Sequence, residues 1–256
     1  MSQVPAATRA LRVLRFLASQ PGPVPVDRVA RACDLPRSSA YHLLGAMAEE
    51  GFVVHLPEDR SVGLGVAAFE VGSGYARSEP LARIARRPIA DLADATGRSA
   101  QLAVLHGRDV LYVVQERAPG RPPLVTGVGV RLPAQVTASG RAILAALPAA
   151  QVRALFPAAD AFVTREGHGP SGPAELRTLL AETRQRGHAV EHEEVTAGQA
   201  SVAAAVLDHT GHPVAAVAVT GPVEEDPTQD VAATVRAAAL LTSRVGGGAR
   251  PTRPGP

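Results

Sequence analysis

Three groups of residues in this chain have types and spacing that could do chemistry. The first is Arg37, Ser38, Ser39, Tyr41 and His42, six positions of chain that follow Pro36. An arginine can donate two hydrogen bonds to a guanine edge, and serine can serve a base or a phosphate. The second is Thr137-Ala138-Ser139-Gly140, which leads into an Ala-rich run. Free N–H groups at a helix start can hold a carboxylate, and the default role of such a Thr or Ser is to cap the helix. A nucleophilic Ser needs a His and an acid in reach, and no pattern here places them. The third group is His188, Glu191, His192, Glu193 and Glu194. Strand alternation sends His188 and His192 to one face and Glu191 and Glu193 to the other. That falls short of the three or four converging ligands of a zinc site. There is no GxxxxGK[ST], no GxGxxG opening a strand–helix unit and no HExxH. No catalytic residue, metal or cofactor is expected, and the chain is not expected to be an enzyme.

The elements that must position these groups are set by an ordinary globular composition. The 256 residues suffice for two domains. They are 46% hydrophobic and 20% charged, with no Trp and 3% aromatics, so the cores are built from Ala, Val and Leu. All 26 basic residues are Arg. The net charge of +2 is unevenly spread: residues 1–48 carry six Arg against Asp27 and Asp34, whereas residues 49–80 carry two Arg against six acids. Positive charge in the first helices favours an anionic partner such as a DNA backbone, although a solvated arginine face gives the same pattern. The single Cys33 excludes an internal disulfide and a CxxC metal site. The N-terminus has Arg at every third position and no long apolar core, unlike a signal peptide. The longest apolar stretches are too short to span a bilayer. A cytoplasmic location is expected.

Periodicity predicts a helix over 8–19 with Leu11, Leu14, Leu17 and Ala18 on one face and Arg9, Arg12 and Arg15 beside it. Residues 20–25 break it. A short helix over 26–32, a turn at Cys33-Asp34-Leu35 and a third helix over 36–50 follow, with Leu43, Leu44 and Met47 as the apolar stripe and Gly51 after the end. This is a helix-turn-helix pattern, and the third helix is slim enough to enter a major groove. Segments 52–56 and 61–64, joined by the turn Pro57-Glu58-Asp59-Arg60, read as a hairpin. A hairpin directly after the third helix is a wing.

Beyond it, 65–77 has helical spacing weakened by Gly72 and Gly74, and 81–96 is a helix interrupted by Pro88. Strands are expected over 100–105, 110–115, 124–130, 188–193, 200–207 and 213–220, with helices over 137–147, 148–156, 174–186 and 227–245. Residues 161–173 read as a polar loop, and 246–256 as a disordered tail. The mixture is α+β with a mainly antiparallel sheet.

The run DRVARACDLPRSSAYHLLGAMAEEGFVVH resembles the winged helix-turn-helix of IclR-type transcription regulators. RLPAQVTASGRAILAALP and RQRGHAVEHEEVTAGQASVAAAVLDHTGHPVAAVAVTGP resemble two further segments of that family, in the family's order. The resemblance implies a DNA-binding domain over 1–64, a linker helix over 65–80 and a GAF/PAS-like effector-binding domain over 81–245. It implies an operator DNA partner and a small-molecule effector, with self-association as dimers often paired into tetramers. Matched residue by residue, it brings Ala138, Ser139, Gly140, Glu191, Gln199, Ser201, Ala218 and Thr220 to the effector site. Ser201 and Thr220 put hydroxyls on strands otherwise made of Ala and Val, which leaves room for a small organic acid or a modest aromatic acid. Glu191 would repel such an anion if it pointed inward. Arg37, Ser38, Ser39, Tyr41 and His42 would meet DNA bases, and Arg9, Arg12 and Arg60 phosphates.

The chain departs from the family pattern in three places. His42 stands where Arg is usual, the wing segment Ser61-Val62-Gly63-Leu64-Gly65 lacks a usual Tyr-Arg, and Ala205 replaces a usual Pro. The first two bear on which DNA sequence is preferred, not on the fold. The alternative reading is a metabolite-binding protein or enzyme whose N-terminal helices dock protein instead of DNA.

Overall fold

The computed structural model describes residues 4–56, 59–78, 80–120, 124–163 and 168–246. The chain divides into two compact units, 1–79 and 80–256. No helix among the described residues is long and apolar enough to cross a membrane.

The first unit begins with α1 (Pro5–Ala18), where Pro5 occupies the first turn and gives up no needed N–H. Its buried stripe is Val13 and Leu17, flanked by half-buried Ala10 and Leu14. The expected phase was one step off, because Leu11 is 61% exposed. Helix α2 (Val26–Ala32) buries Val26, Val29 and Ala30. The turn after it closes through Leu35 N–H to the Ala30 carbonyl, and Asp34 takes a positive φ of 53°. Helix α3 (Arg37–Glu49) starts one residue later than its sequence suggests, because Pro36 keeps extended backbone. Ala40, Leu44 and Met47 face the core around Cys33, with Leu43 partly buried beside them. Gly51, at φ 71°, lets the chain leave α3 in the left-handed conformation.

The wing is a sheet in the order β1-β3-β2. Strands β2 (Val53–Leu56) and β3 (Ser61–Leu64) form the expected hairpin; part of its turn, 57–58, lies outside the described residues. The added strand β1 (Val24–Pro25) pairs with Ser61 and Val62, and two residues are too few to show an alternation in sequence. Helix α4 (Val66–Ser78) follows, and Val66, Phe69 and Val71 on it are exposed.

The second unit is a six-stranded antiparallel sheet in the order β6-β5-β4-β9-β8-β7. Its strands are β4 (Ser99–His106), β5 (Asp109–Glu116), β6 (Arg131–Pro133), β7 (Ala189–His192), β8 (Gln199–Leu207) and β9 (Pro213–Pro222). Helices α5 (Pro80–Thr96) and α9 (Val231–Arg244) cover one face, over Leu102, Val202, Val217 and Val219. Helices α6 (Ala138–Ala146), α7 (Ala149–Leu155) and α8 (Pro173–Arg186) belong to the core on the other face. That face is paved with small residues, Ala103, Ala203, Ala216 and Ala218, so α6 can approach the strands closely.

Two segments differ from expectation. Residues 124–130 form a loop and not a strand; Gly129, at φ 86°, turns the chain, and only 131–133 runs in register with β5. The final helix opens with a 3-10 turn, Pro227–Asp230, capped by the Asp226 carboxylate on the Thr228 N–H. The expected disordered tail lies, beyond Gly246, outside the described residues.

Candidate functional site

In the first unit, Pro36 at the N-cap position of α3 has no side chain that can accept from the first turn. The helix therefore opens with polarised, uncapped N–H groups, a natural seat for phosphate. Arg37, Ser38, Tyr41 and His42 are exposed there, and Ser39 is half-buried. The Arg37 guanidinium donates through Nε to Asp27 at 3.0 Å and also bonds the Tyr41 hydroxyl. Arg9 is exposed on α1, and Arg60 is exposed beside the wing turn at φ 49°. Arg12 is engaged differently: its Nη1 donates to the Cys33 carbonyl at 3.3 Å and fastens the turn between α2 and α3.

In the second unit, one cavity lies on the alanine-paved face of the sheet, at the start of α6. Its wall includes Ala138, Ser139, Glu191, Gln199, Ser201, Ala218 and Thr220, seven of the eight residues picked out from sequence. Gly140 is the exception. Its N–H is taken by the Thr137 hydroxyl at 3.0 Å, so it is not a free donor. Its role is steric, since a Cβ there would run into the Ala134 backbone. With Thr137 spent on Gly140, the N–H groups of Ala138 and Ser139 are the helix-start donors without an acceptor among the described residues.

Glu191, Ser201 and Thr220 are direct neighbours in the register across β7, β8 and β9. Ser201 lies directly beside Glu191 across the strands, the Ser201 and Thr220 hydroxyls are 2.9 Å apart, and Thr220 reaches Gln101 Oε1 on β4 at 3.4 Å. Glu191 is 2% exposed and points inward, and its Oε1 accepts the N–H groups of Glu194 and Val195 at 2.7 and 3.1 Å. Burial pushes its carboxyl above the ordinary range, while those bonds and Ser201 pull it back. The nearest base, Arg141, is held by a bidentate ion pair to Glu194 and by the Gln135 carbonyl, and it does not line the cavity.

The other seven wall residues were not among those picked out for the effector site, Gln101 and Tyr112 on the strands among them. Gln101 looked like any polar strand residue. Tyr112 reaches the cavity because β5 carries a bulge there. Leu102 pairs with Val114 and Ala103 with Tyr112, which leaves Val113 without a partner. Tyr112 and Val114 thus face opposite sides of the sheet although they are two residues apart. The Tyr112 phenol bonds Ser139, and burial pushes its pKa well up, so it stays protonated. Buried polar atoms remain unpartnered among the described residues at Gln101 Nε2 and Thr126 Oγ1, both on wall residues. Among the described residues no three His, Cys, Asp or Glu side chains gather as metal ligands.

These two sites meet in one family. The C-terminal domain model of the bacterial transcriptional regulator IclR matches residues 73–244, and the IclR helix-turn-helix model matches 6–57. The chain belongs to the IclR family. The transcriptional repressor IclR of Escherichia coli is 30% identical over 251 residues, covering 96% of this chain and 91% of its own. The glycerol operon regulatory protein of Streptomyces griseus is 33% identical over 241 residues, covering 92% and 94%. In fold, the chain is similar to an IclR homologue of Microbacterium hydrocarbonoxydans crystallised with 4-hydroxybenzoate, with a TM-score of 0.77 at 22% identity over 94% of this chain and 98% of that one. An IclR-family protein with these two domains is a DNA-binding transcription regulator with an effector-binding domain, and the relatives named here are a transcriptional repressor and an operon regulatory protein, not enzymes. That decides against the enzyme reading.

Proposed function

We propose that this IclR-family regulator reads its operator through the N-terminal half of α3, and that a small organic acid entering the cavity beside α6 changes that affinity. The observation that carries the effector half is the convergence, in one buried cavity, of the α6 donors with polar side chains from β4, β5, β7, β8 and β9. The ligand's carboxylate sits at the Ala138 and Ser139 N–H groups, where the helix dipole favours it. The cavity measures about 20 Å³ at the centres of water molecules, room for one or two waters. An acid of several carbons enters only if the wall segments carrying Leu124, Thr126, Val195 and Thr196 move outward. Binding is thus coupled to a shape change, as a regulator requires. Arg37, Ser38, Ser39, Tyr41 and His42 face the bases, with Arg9 and Arg60 on phosphates. The protein works in the cytoplasm as a dimer or a pair of dimers, since one winged domain makes few contacts.

The test uses duplex DNA from upstream of the protein's own gene. Salt-dependent binding by the wild type, weakened by Arg37→Ala with the fold intact, supports the DNA assignment. For the cavity, Ser139→Leu and Ser201→Leu are measured with a metabolite that shifts wild-type operator affinity. If both variants fold, bind DNA and keep the full response, the effector site lies elsewhere.

A further inference from the structure

The cavity holds a carboxyl group of its own and no base. Among its wall residues the ionisable ones are Glu191 and Tyr112, and Tyr112 stays neutral. Of the charged groups nearby, on α6 and the segment after β7, Arg141 and Glu194 pair with each other, and Glu194 adds its own upward push on the Glu191 carboxyl. His192, on β7 itself, is exposed. Glu193, just beyond β7, is exposed too and accepts the Gly198 N–H at 2.7 Å. The strands beside β7 contribute Ser201 on β8 and Thr220 on β9 to the same row, neither of them charged. An anion brought to the α6 start therefore meets a buried carboxylate with no cation on the cavity wall if Glu191 is ionised. At short range in a poorly solvated site, that repulsion outweighs what two N–H groups return.

The row behind Glu191 offers a way out. With Glu191 ionised, Ser201 donates to it, Thr220 donates to Ser201, and the Gln101 amide, turned over, donates through Nε2 to Thr220. With Glu191 protonated, every donor reverses: Glu191 to Ser201, Ser201 to Thr220, Thr220 to Gln101 Oε1. Hydroxyls and a primary amide can serve either way. The second arrangement leaves Gln101 Nε2 buried and without an acceptor, as in the structure described here. A carboxylate oxygen or hydroxyl of a ligand would supply one, and a buried donor left without an acceptor favours a ligand that provides it.

Resting on the effector reading above, we propose that the regulator binds an anionic effector together with one proton, taken up by Glu191 and accommodated by reversal of the Ser201–Thr220–Gln101 row. The burial that raises the Glu191 carboxyl acts in the same direction. Effector strength then rises as the surrounding pH falls, and the same acid is a stronger signal in an acidified cell.

The test is calorimetry on the full chain with sodium benzoate, 4-hydroxybenzoate and acetate, and glycerol as the neutral probe, at pH 5.5, 7.0 and 8.5. Each titration is run in two buffers of different ionisation heat, so that proton uptake is counted on the wild type without any variant. The proposal expects an acid to bind with uptake approaching one proton and affinity falling about tenfold per pH unit once Glu191 ionises. Glu191→Gln should bind the same acid at one affinity across the range and take up no proton. Acid binding without proton uptake and without pH dependence in the wild type overturns the proposal and leaves the effector reading standing. Binding of glycerol alone also overturns it, since the cavity would then be a site for neutral ligands. If none of the four binds to wild type or variant at 20 mM, the acid-effector reading falls, and this proposal with it.

Discussion

Gly140 and His42 are single residues whose roles can be stated in terms of atoms. A methyl group on Gly140 meets the Ala134 backbone, which cannot rotate away. Gly140→Ala should destabilise the second unit by about 1–3 kcal/mol through overpacking, measurable as a lowered urea midpoint. An unchanged midpoint would mean that α6 has slack against the 134–136 turn. His42 is exposed on α3, where a family arginine would be charged at any physiological pH. Arginine keeps its charge and offers five N–H donors in a planar fork, which an imidazole ring does not match. His42→Arg should therefore tighten binding to random-sequence duplex at pH 7.5, with a steeper salt slope. A gel-shift series with no gain would show that His42 points away from the phosphates. Glu191 makes a stability prediction as well. Its folded carboxyl is raised, so the native state holds its proton to higher pH than the unfolded chain does. Its contribution is full at pH below the unfolded carboxylate value and is lost as pH rises through the higher folded one. Glu191→Gln should flatten that part of the stability–pH curve, and two parallel curves would refute the assignment.

At the scale of elements, what was legible in the sequence followed from period and punctuation. Helix α2 matches its expected span to the residue because Pro25 precedes it and Val26, Val29 and Ala30 repeat at helical spacing. In α1 the helix was legible but its phase was not. Ala and Leu occur on several sides, and only packing against α2 and α3 shows that Val13, and not Leu11, goes inside. The 124–130 segment misled because its alternating Val and Leu look like a strand, while the Gly129 turn decides otherwise. In the cavity, the wall residues on β7, β8 and β9 followed from the resemblance. Tyr112 did not, because a bulge flips a side chain to the other face without any mark in the local pattern. Helix α4 leaves Val66, Phe69 and Val71 exposed, at 71, 76 and 62%. Val66 and Phe69, three residues apart, share one side of the helix, and an exposed apolar pair of this kind is suited to a second copy. If the protein self-associates as proposed, Phe69→Asp should lower the mass seen by light scattering at working concentrations, and a wild-type mass in the variant would place the contact between copies elsewhere.

At the scale of the whole molecule, the two sites lie in separate units, 1–79 and 80–256. A ligand in one can influence the other only through a free energy of coupling, and such coupling is reciprocal. If an acid effector weakens operator binding by some factor, operator DNA must weaken acid binding by the same factor, whichever chain segments carry the signal. Couplings of this kind are typically about 1–3 kcal/mol, or roughly 5–150-fold. In the proposed reading the small cavity supplies a physical origin: its wall moves to admit the acid, and the ligand-free wall is the state that favours one mode of DNA binding. The proton enters the same cycle: at pH 8.5, where Glu191 resists protonation, more acid is needed to reach a given release from DNA, while the release at saturation is unchanged. Operator affinity measured against acid concentration at two pH values, paired with acid affinity with and without operator, closes the cycle. Unequal factors in the two directions would mean that the acid acts at a second site. Equal factors with no change in the acid requirement between the two pH values would leave the coupling intact and remove Glu191 from it.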